Sequence, residues 1–299
     1  MKKTYVLPAI IILFILLMVQ GIRISFGRFV SDGFSVLVLY NPVLDKANPG
    51  ILGAYENVLK EEGVPYQSVT PAAVLSRTFE SILEKHPVII IPDTIAQALQ
   101  EDVRLWLINY LTNGGKILVV YDVGIKDRHG AYLKDAALVD LLGFNYMNYE
   151  QWREKTYTRG FLQFKDTAGA EFFGISTENL DGENFAVVDI DGKRERLESP
   201  VSRIEMNQEN GEEEIYAHAV ITGQGKMWEQ EKYPAFVSSE YGRGKLLYVN
   251  LPLGYLSVYV DGLPLRAVLK TYLFKMAEIP FLQRTEPPAI DAAILNISD

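Results

Sequence analysis

Short, continuous apolar runs that alternate with helical stretches constrain the fold of this chain most. The runs are rich in Val, Leu and Ile, and they cover residues 34–40, 66–69, 88–91 and 116–121. Helical patterns separate them, over residues 51–62, 71–85 and 95–112. Runs without polar alternation are typical of strands buried on both faces. The pattern therefore predicts an α/β fold with a parallel sheet and helices on both faces.

Beyond the fourth run the pattern changes. A further helix is predicted over residues 133–142, and turn signals become dense between residues 145 and 230. Short β-type segments inside that region indicate a β-rich, antiparallel insertion attached to the sheet. A hairpin with arms 235–239 and 245–251 and a closing helix over 263–278 complete the predicted domain, which spans residues 34–285.

The first 22 residues have the composition of a membrane segment. Lys2 and Lys3 precede an apolar run over residues 5–22, broken by Pro8, Gln20 and Gly21. At about 1.5 Å per residue such a run nearly spans a hydrocarbon core of about 30 Å. It predicts a transmembrane signal-anchor over residues 1–22 and a linker over 23–33, so that the domain is membrane-anchored and faces the periplasm or the cell exterior. A cleaved signal peptide and a buried core helix are the alternatives.

Composition excludes several classes of function. The chain has no cysteine, so disulfides, thiolate nucleophiles and cysteine-ligated metal sites are excluded. Its net charge is −9, and a negative field repels nucleic acid. The histidines, His86, His129 and His218, lack metal-ligand spacing. We therefore predict no nucleic-acid partner, no metal, no cofactor and no catalytic residue.

One edge of the predicted sheet carries a candidate ligand site. In open α/β sheets, ligands bind outside the carboxyl ends of the parallel strands. The polar residues that follow strands one, three and four are Asn41, Asp45, Asp93, Asp122, Lys126, Asp127 and His129. Their carboxylates, lysine and imidazole are suited to a sugar or a divalent cation. The alternative is that Asp93 caps the next helix and the others are solvated loop residues.

Aromatic residues are the second group of candidate contacts. They form two clusters, Phe144, Tyr146, Tyr149, Trp152 and Tyr157, and then Tyr255 and Tyr259. Exposed aromatic rings suit the faces of carbohydrates and protein interfaces. Packing in the core or at a subunit interface explains the same residues.

Three segments resemble class I glutamine-amidotransferase-like domains. Residues 107–120, LINYLTNGGKILVV, look like that family's helix, double glycine and strand. Residues 138–143, LVDLLG, are similar to a short helix of its non-catalytic members, which include the trimerisation domain of some β-galactosidases. Residues 242–250, GRGKLLYVN, resemble the last strand. The resemblance covers about residues 34 to 280 and implies a flavodoxin-like, amidotransferase-like fold.

The active members of that family have a cysteine on the turn after a central strand, paired with a histidine and a glutamate. The matching turn here reads Tyr121-Asp122-Val123-Gly124, and no histidine follows His218. The resemblance thus implies a domain that cannot hydrolyse glutamine by the family's mechanism.

A second resemblance concerns the last residues. Glu286-Pro287-Pro288 is linker-like, and residues 289–296 begin a strand-like run. Residues 294–299, ILNISD, resemble the first strand of a polysaccharide deacetylase domain, which ends near a metal-binding aspartate. A C-terminal tail that ends in a short strand is the alternative.

These expectations predict a general type of function, without a named ligand or reaction. The chain is predicted to be a membrane-anchored, extracytoplasmic, non-catalytic binding or scaffold domain in cell-envelope polysaccharide processing. Its expected partner is a polysaccharide or an envelope protein. The alternatives are an accessory N-terminal part of a polysaccharide deacetylase that continues beyond residue 299, and a small-molecule sensor domain.

Overall fold

The computed structural model describes residues 35–133, 135–146, 158–206, 213–222, 230–259 and 265–279. Its strands, in chain order, are β1 (Val36–Leu39), β2 (Tyr66–Val69), β3 (Val88–Ile91), β4 (Lys116–Val120), β5 (Phe144–Tyr146), β6 (Thr158–Phe164), β7 (Val187–Ile190), β8 (Lys193–Arg196), β9 (Glu198–Val201), β10 (Ile204–Met206), β11 (Glu213–Thr222), β12 (Gln230–Tyr241) and β13 (Gly244–Val249).

The α-helices, in the same order, are α1 (Pro42–Ala47), α2 (Ile51–Glu61), α3 (Pro71–Leu75), α4 (Phe79–Lys85), α5 (Glu101–Thr112), α6 (Val139–Leu142), α7 (Thr167–Phe172), α8 (Leu253–Tyr259) and α9 (Leu265–Lys270). A 3₁₀ turn covers Thr177–Asn179, and a π-helix over Thr271–Met276 continues α9.

Within the described residues a nine-stranded sheet has the order β2-β1-β3-β4-β13-β12-β11-β6-β9. The first five strands are mutually parallel, in the order of flavodoxin-like sheets. Strands β1 and β3 are apolar throughout because both of their faces are buried. The chain connects β1 to β2 on one side and then crosses back to β3 on the other. The carboxyl ends of β1 and β3 therefore form the topological switch point, where ligands bind in such sheets.

The prediction of a parallel sheet was wrong, because the sheet is mixed. Strand β12 pairs antiparallel with β13. Strands β11, β6 and β9 then extend the sheet, and each is antiparallel to the strand before it in the sheet. The reason is a tight hairpin between β12 and β13, which reverses the chain within the sheet. Strands from the predicted insertion, residues 145–230, thus join the main sheet; β5 with β10 and β7 with β8 form two small separate ladders.

The transmembrane part of the predicted fold class also finds no counterpart. None of the helices in the described residues is both long and apolar enough to cross a membrane. The segment for which the span was predicted, residues 1–22, lies outside the described residues, as do the predicted linker 23–33 and residues 286–299.

Two apolar cores lie on the two faces of the sheet. One packs α2, α7, α8, α9 and the π-helix against the sheet, around Tyr55, Phe173 and Tyr272. The other packs α3, α4, α5 and α6 against the opposite face, around Tyr110 and Phe144. Helices thus cover both faces of the sheet. The loops that follow the parallel strands lie at the carboxyl edge of the sheet, between these two layers of helices.

Several predicted helices are shorter or divided. The stretch 71–85 forms two helices, because Thr78 accepts a hydrogen bond from Ser81 N and starts α4 anew. The stretch 95–112 becomes helical at Glu101, since residues before it form turns and a bridge between Ala98 and Lys126. Helix α8, directly after β13, was not predicted. It proves to be the element that decides the geometry of the switch point.

Candidate functional site

The switch point is occupied by a buried carboxylate, Asp93, two residues after β3. Asp93 has 0% exposure, and its Oδ1 accepts hydrogen bonds from the Tyr55 hydroxyl at 2.6 Å and from Gly254 N at 2.8 Å. Its Oδ2 accepts from Tyr255 N at 3.0 Å. Asp93 therefore binds the first turn of α8 and joins it to α2, instead of facing solvent.

Burial changes the protonation of this group. Loss of solvent and, to a smaller extent, the nearby Asp122 carboxylate raise the pKa of Asp93, while the bonds from Tyr55, Tyr255 and Gly254 lower it; the net result is a pKa of about 6. The same surroundings raise the pKa of the Tyr55 phenol well above its ordinary value, mainly through burial. A buried carboxylate with an altered pKa is a common mark of a functional site, although structural networks produce it too.

Helix α8 closes the crevice above Asp93. A Cβ atom at Gly254 would lie 2.7 Å from Tyr55 Cε2, 2.8 Å from Asp93 Oδ1 and 2.9 Å from Ile51 Cγ2. The backbone of α8 thus fits against these side chains with no room for one more carbon. The chain's own helix occupies the place where a ligand binds in other sheets of this order.

The second carboxylate of the edge, Asp122, is also buried and also used by the chain itself. It accepts hydrogen bonds from Thr94 N at 2.7 Å and from Gln97 Nε2 at 2.5 Å. Thr94 has a left-handed φ of 65°, and its hydroxyl donates to Asp93 Oδ2 at 3.3 Å. Asp93 and Asp122 are therefore brought together through Thr94, as expected from adjacent strand ends, and both stabilise the turn after β3.

The turn after β4, for which the resemblance implied the place of a catalytic residue, begins at Tyr121. Its φ is 58°, a strained value for a bulky residue, and it follows β4 directly. Its ring is buried in the core that contains α2. A large side chain packed into the core thus lies at the start of the turn after β4.

Asn41 and Asp45 lie beside the switch point, Asn41 as the N-cap of α1 and Asp45 within that helix. The Asn41 side chain caps that helix by accepting hydrogen bonds from Val43 N at 2.9 Å and Leu44 N at 3.4 Å. Asp45 is half-buried. This partial burial is the main cause that raises the pKa of its carboxyl, and repulsion from Glu56 is the second. Both residues therefore have local roles at the rim of the edge.

Lys126, Asp127 and His129 lie together in the loop after β4. Asp127 Oδ1 accepts hydrogen bonds from His129 N at 2.8 Å and Ala131 N at 2.9 Å, and these bonds lower its pKa. The Lys126 ammonium lies 4.9 Å from the centre of the Tyr132 ring. His129 is exposed, and its Nε2 accepts a hydrogen bond from Arg128 Nε at 3.0 Å.

Ligand binding by the seven predicted residues stays a prediction. Within the described ranges no three His, Asp or Glu side chains are grouped so as to hold a metal ion.

The predicted aromatic clusters divide between core and surface. Phe144 is buried against Tyr248, with ring centres 4.4 Å apart. Tyr255 and Tyr259 are exposed on α8, with ring centres 4.7 Å apart. Tyr149, Trp152 and Tyr157 lie outside the described residues, and the side chain of Tyr146 is likewise not described.

Sequence reasoning missed Tyr55 and Gly254, the two residues that close the crevice with Asp93. The available signal for Gly254 was a glycine inside an apolar segment directly after a strand, which often marks a close approach of backbone to another group. Tyr55 gave no such signal, because a tyrosine on the apolar face of a helix is ordinary core composition.

Comparison with known proteins gives similarity of fold. No protein-family model matches the sequence, and no curated protein matches it significantly. Among solved structures, the GH42 β-galactosidase Gan42B from G. stearothermophilus aligns with a TM-score of 0.50 at 16% identity, over 82% of this chain and 30% of the enzyme. The cold-adapted β-galactosidase from Rahnella sp. R3 aligns with a TM-score of 0.50 at 14% identity, over 83% of this chain and 32% of the enzyme.

A ThuA-like protein from Bacteroides uniformis aligns with a TM-score of 0.50 at 14% identity, over 80% of this chain and 89% of that protein. The chain thus spans about a third of the β-galactosidases and most of the length of the ThuA-like protein. These likenesses confirm the coarse part of the predicted resemblance, and they give no support to a link with polysaccharide deacetylases. This chain has an amidotransferase-like fold, of the kind found in a domain of GH42 β-galactosidases and in ThuA-like proteins.

Proposed function

We propose that this chain is a non-catalytic scaffold domain of a carbohydrate-processing protein or complex. The observation that carries the proposal is the closed switch point, where Gly254 packs against Asp93 and Tyr55. An enzyme of this architecture needs that crevice open for its substrate. The missing cysteine and the buried ring at Tyr121 support the same conclusion. The connection with carbohydrates rests on the β-galactosidase neighbours.

The surface that we assign to the scaffold function lies on α8. Tyr255, Val258 and Tyr259 are 42%, 39% and 55% exposed, and they are three of the six large hydrophobic residues that are exposed in the described part of the chain. Apolar residues that cluster on one exposed helix favour a protein interface. The resemblance to a trimerisation domain implies self-association, so a second copy of the chain is the proposed partner.

We include an extracytoplasmic location in the proposal, together with a polysaccharide or envelope protein as a further partner. The cysteine-free composition is compatible with that location.

The oligomeric state of the full chain tests the scaffold function. Sedimentation equilibrium should show self-association that Val258→Glu weakens, because a carboxylate would be buried in an apolar interface. Leu105→Glu is the matched control, since Leu105 is an exposed hydrophobic residue of α5 on the other layer. A monomer at every concentration, or equal behaviour of both variants, would overturn the proposal. Release of ammonia from glutamine by the chain would contradict its non-catalytic character.

A further inference from the structure

A cavity of about 410 Å³ lies at the end of the sheet opposite the switch point. It is formed where β11 begins, β12 ends and β13 begins, since Glu213 pairs with Ser239 and Glu240 pairs with Lys245 in these ladders. The end of α7 and the π-helix form its sides. Unlike the crevice at Asp93, this cavity is open, and its volume is within the range of about 300–1,000 Å³ typical of small-ligand pockets.

One wall of the cavity is aromatic and held in place. Phe172 and Tyr216 stack with ring centres 5.5 Å apart and planes within 5°. The Lys275 ammonium lies 5.0 Å from the centre of the Phe172 ring and donates a hydrogen bond to Phe172 O at 2.8 Å. Met276 continues this wall. Because the stacked rings and the lysine restrain one another, the wall keeps its shape without a ligand, which reduces the entropic cost of binding.

The remaining lining is polar and carries both signs of charge. Carboxylates come from Glu213, Glu214 and Glu240, and ammonium groups from Lys245 and Lys275. Lys245 lies 3.3 Å from Glu278, and Glu214 accepts a hydrogen bond from the Tyr216 hydroxyl. A strongly anionic or cationic ligand would meet like charge here. A neutral molecule with many hydroxyls could donate to the carboxylates and accept from the ammonium groups.

We infer that this cavity is a saccharide-binding site, which takes one or two neutral sugar rings of a glycan with an apolar ring face against the aromatic wall. Sugar hydroxyls match the mixed donors and acceptors, and the C–H face of a pyranose matches Phe172, Tyr216 and Met276. The inference rests on the proposed function, which it deepens by assigning the ligand class and the site. Partial burial raises the pKa of Glu213, as expected of a carboxylate that lies inside a cavity.

Binding of neutral disaccharides to the full chain tests this inference. Lactose, cellobiose and diacetylchitobiose are titrated by isothermal calorimetry, and contact is checked by saturation-transfer NMR. At least one should bind, with a Kd on the order of 1 mM. Glu240→Gln should weaken that binding about tenfold, because an amide replaces a charged acceptor. Glu195→Gln, the same change at an exposed position of β8 outside the cavity, should leave the Kd unchanged.

Three results would overturn the inference: no binding by any of the three disaccharides, the same Kd in both variants, or binding confined to charged controls such as glucosamine and glucuronate. The melting temperatures of the variants verify folding, since Glu240 and Glu195 are both exposed. Self-association is measured without sugar. A self-associating chain that binds no sugar would therefore overturn this inference alone, and a monomer that binds sugar would overturn the scaffold function alone.

Discussion

Tyr55 donates a hydrogen bond to Asp93 across the switch point, with 2.6 Å between the phenol oxygen and Oδ1. The two residues are 38 positions apart and both fully buried. Gly254 N completes the cluster by donating to the same Oδ1. The three residues join α2, the end of β3 and α8, and they fill a crevice that this strand order otherwise leaves open to ligands.

Loss of the phenol should destabilise the protein. Tyr55→Phe removes a donor to a buried carboxylate, so we expect the free energy of unfolding to fall by about 1.5–3 kcal/mol in urea denaturation. Tyr259→Phe is the control, since Tyr259 is exposed, and it should change stability by less than about 0.5 kcal/mol. Equal effects would mean that the bond to Asp93 contributes little.

A methyl group at the point of closure should also be costly. Gly254→Ala places a carbon within 3 Å of Tyr55, Asp93 and Ile51, so we expect a loss of about 1–3 kcal/mol. Gly53→Ala on α2 meets no heavy atom within 4 Å and should stabilise the helix by about 0.5–1 kcal/mol. Thermal unfolding of both variants measures the contrast; a neutral Gly254→Ala would show that α8 can move away.

Stability should depend on pH through Asp93. Its pKa rises from 3.8 to about 6 on folding, so between these values the folded protein retains a proton that the unfolded chain has released. The contribution of Asp93 to the free energy of unfolding therefore falls as pH rises, by about 3 kcal/mol in total, and is constant above about pH 6. The difference in stability between the wild type and Asp93→Asn, measured from pH 4 to pH 7, should follow this curve. A difference independent of pH would contradict it.

His86 should titrate below an ordinary histidine. Burial lowers its pKa from 6.5, and the bond to Ser35 O partly opposes this effect. The neutral ring is bonded through Nδ1 to the Ser35 hydroxyl at 2.8 Å. Its contribution to stability is present above pH 6.5 and is lost as pH falls through the lowered pKa, with a sign opposite to that of Asp93. The NMR titration midpoint of the His86 ring should lie below 6.5; a midpoint at or above that value would refute the prediction.

The strands of the parallel half were predictable from local composition. The runs at 88–91 and 116–121 match β3 and β4 nearly residue for residue, because burial on both faces demands continuous apolar side chains. The antiparallel half was less predictable. Pairing partners such as β6 and β11 are separated by tens of residues, and the sequence of a short strand does not specify which other strand it pairs with.

The candidate site was likewise predictable from the sequence only in part. Strand-end reasoning placed Asp93 and Asp122 at one edge of the sheet, and the structure joins them through Thr94. Local sequence could not reveal that Asp93 is buried, because its burial depends on α8, whose Gly254 lies 161 residues from Asp93. Residue types and their order thus decide which carboxylates reach the edge. A contact between distant segments decides whether that edge is an open binding site or is closed by the chain's own side chains. This contact forms only in the tertiary structure.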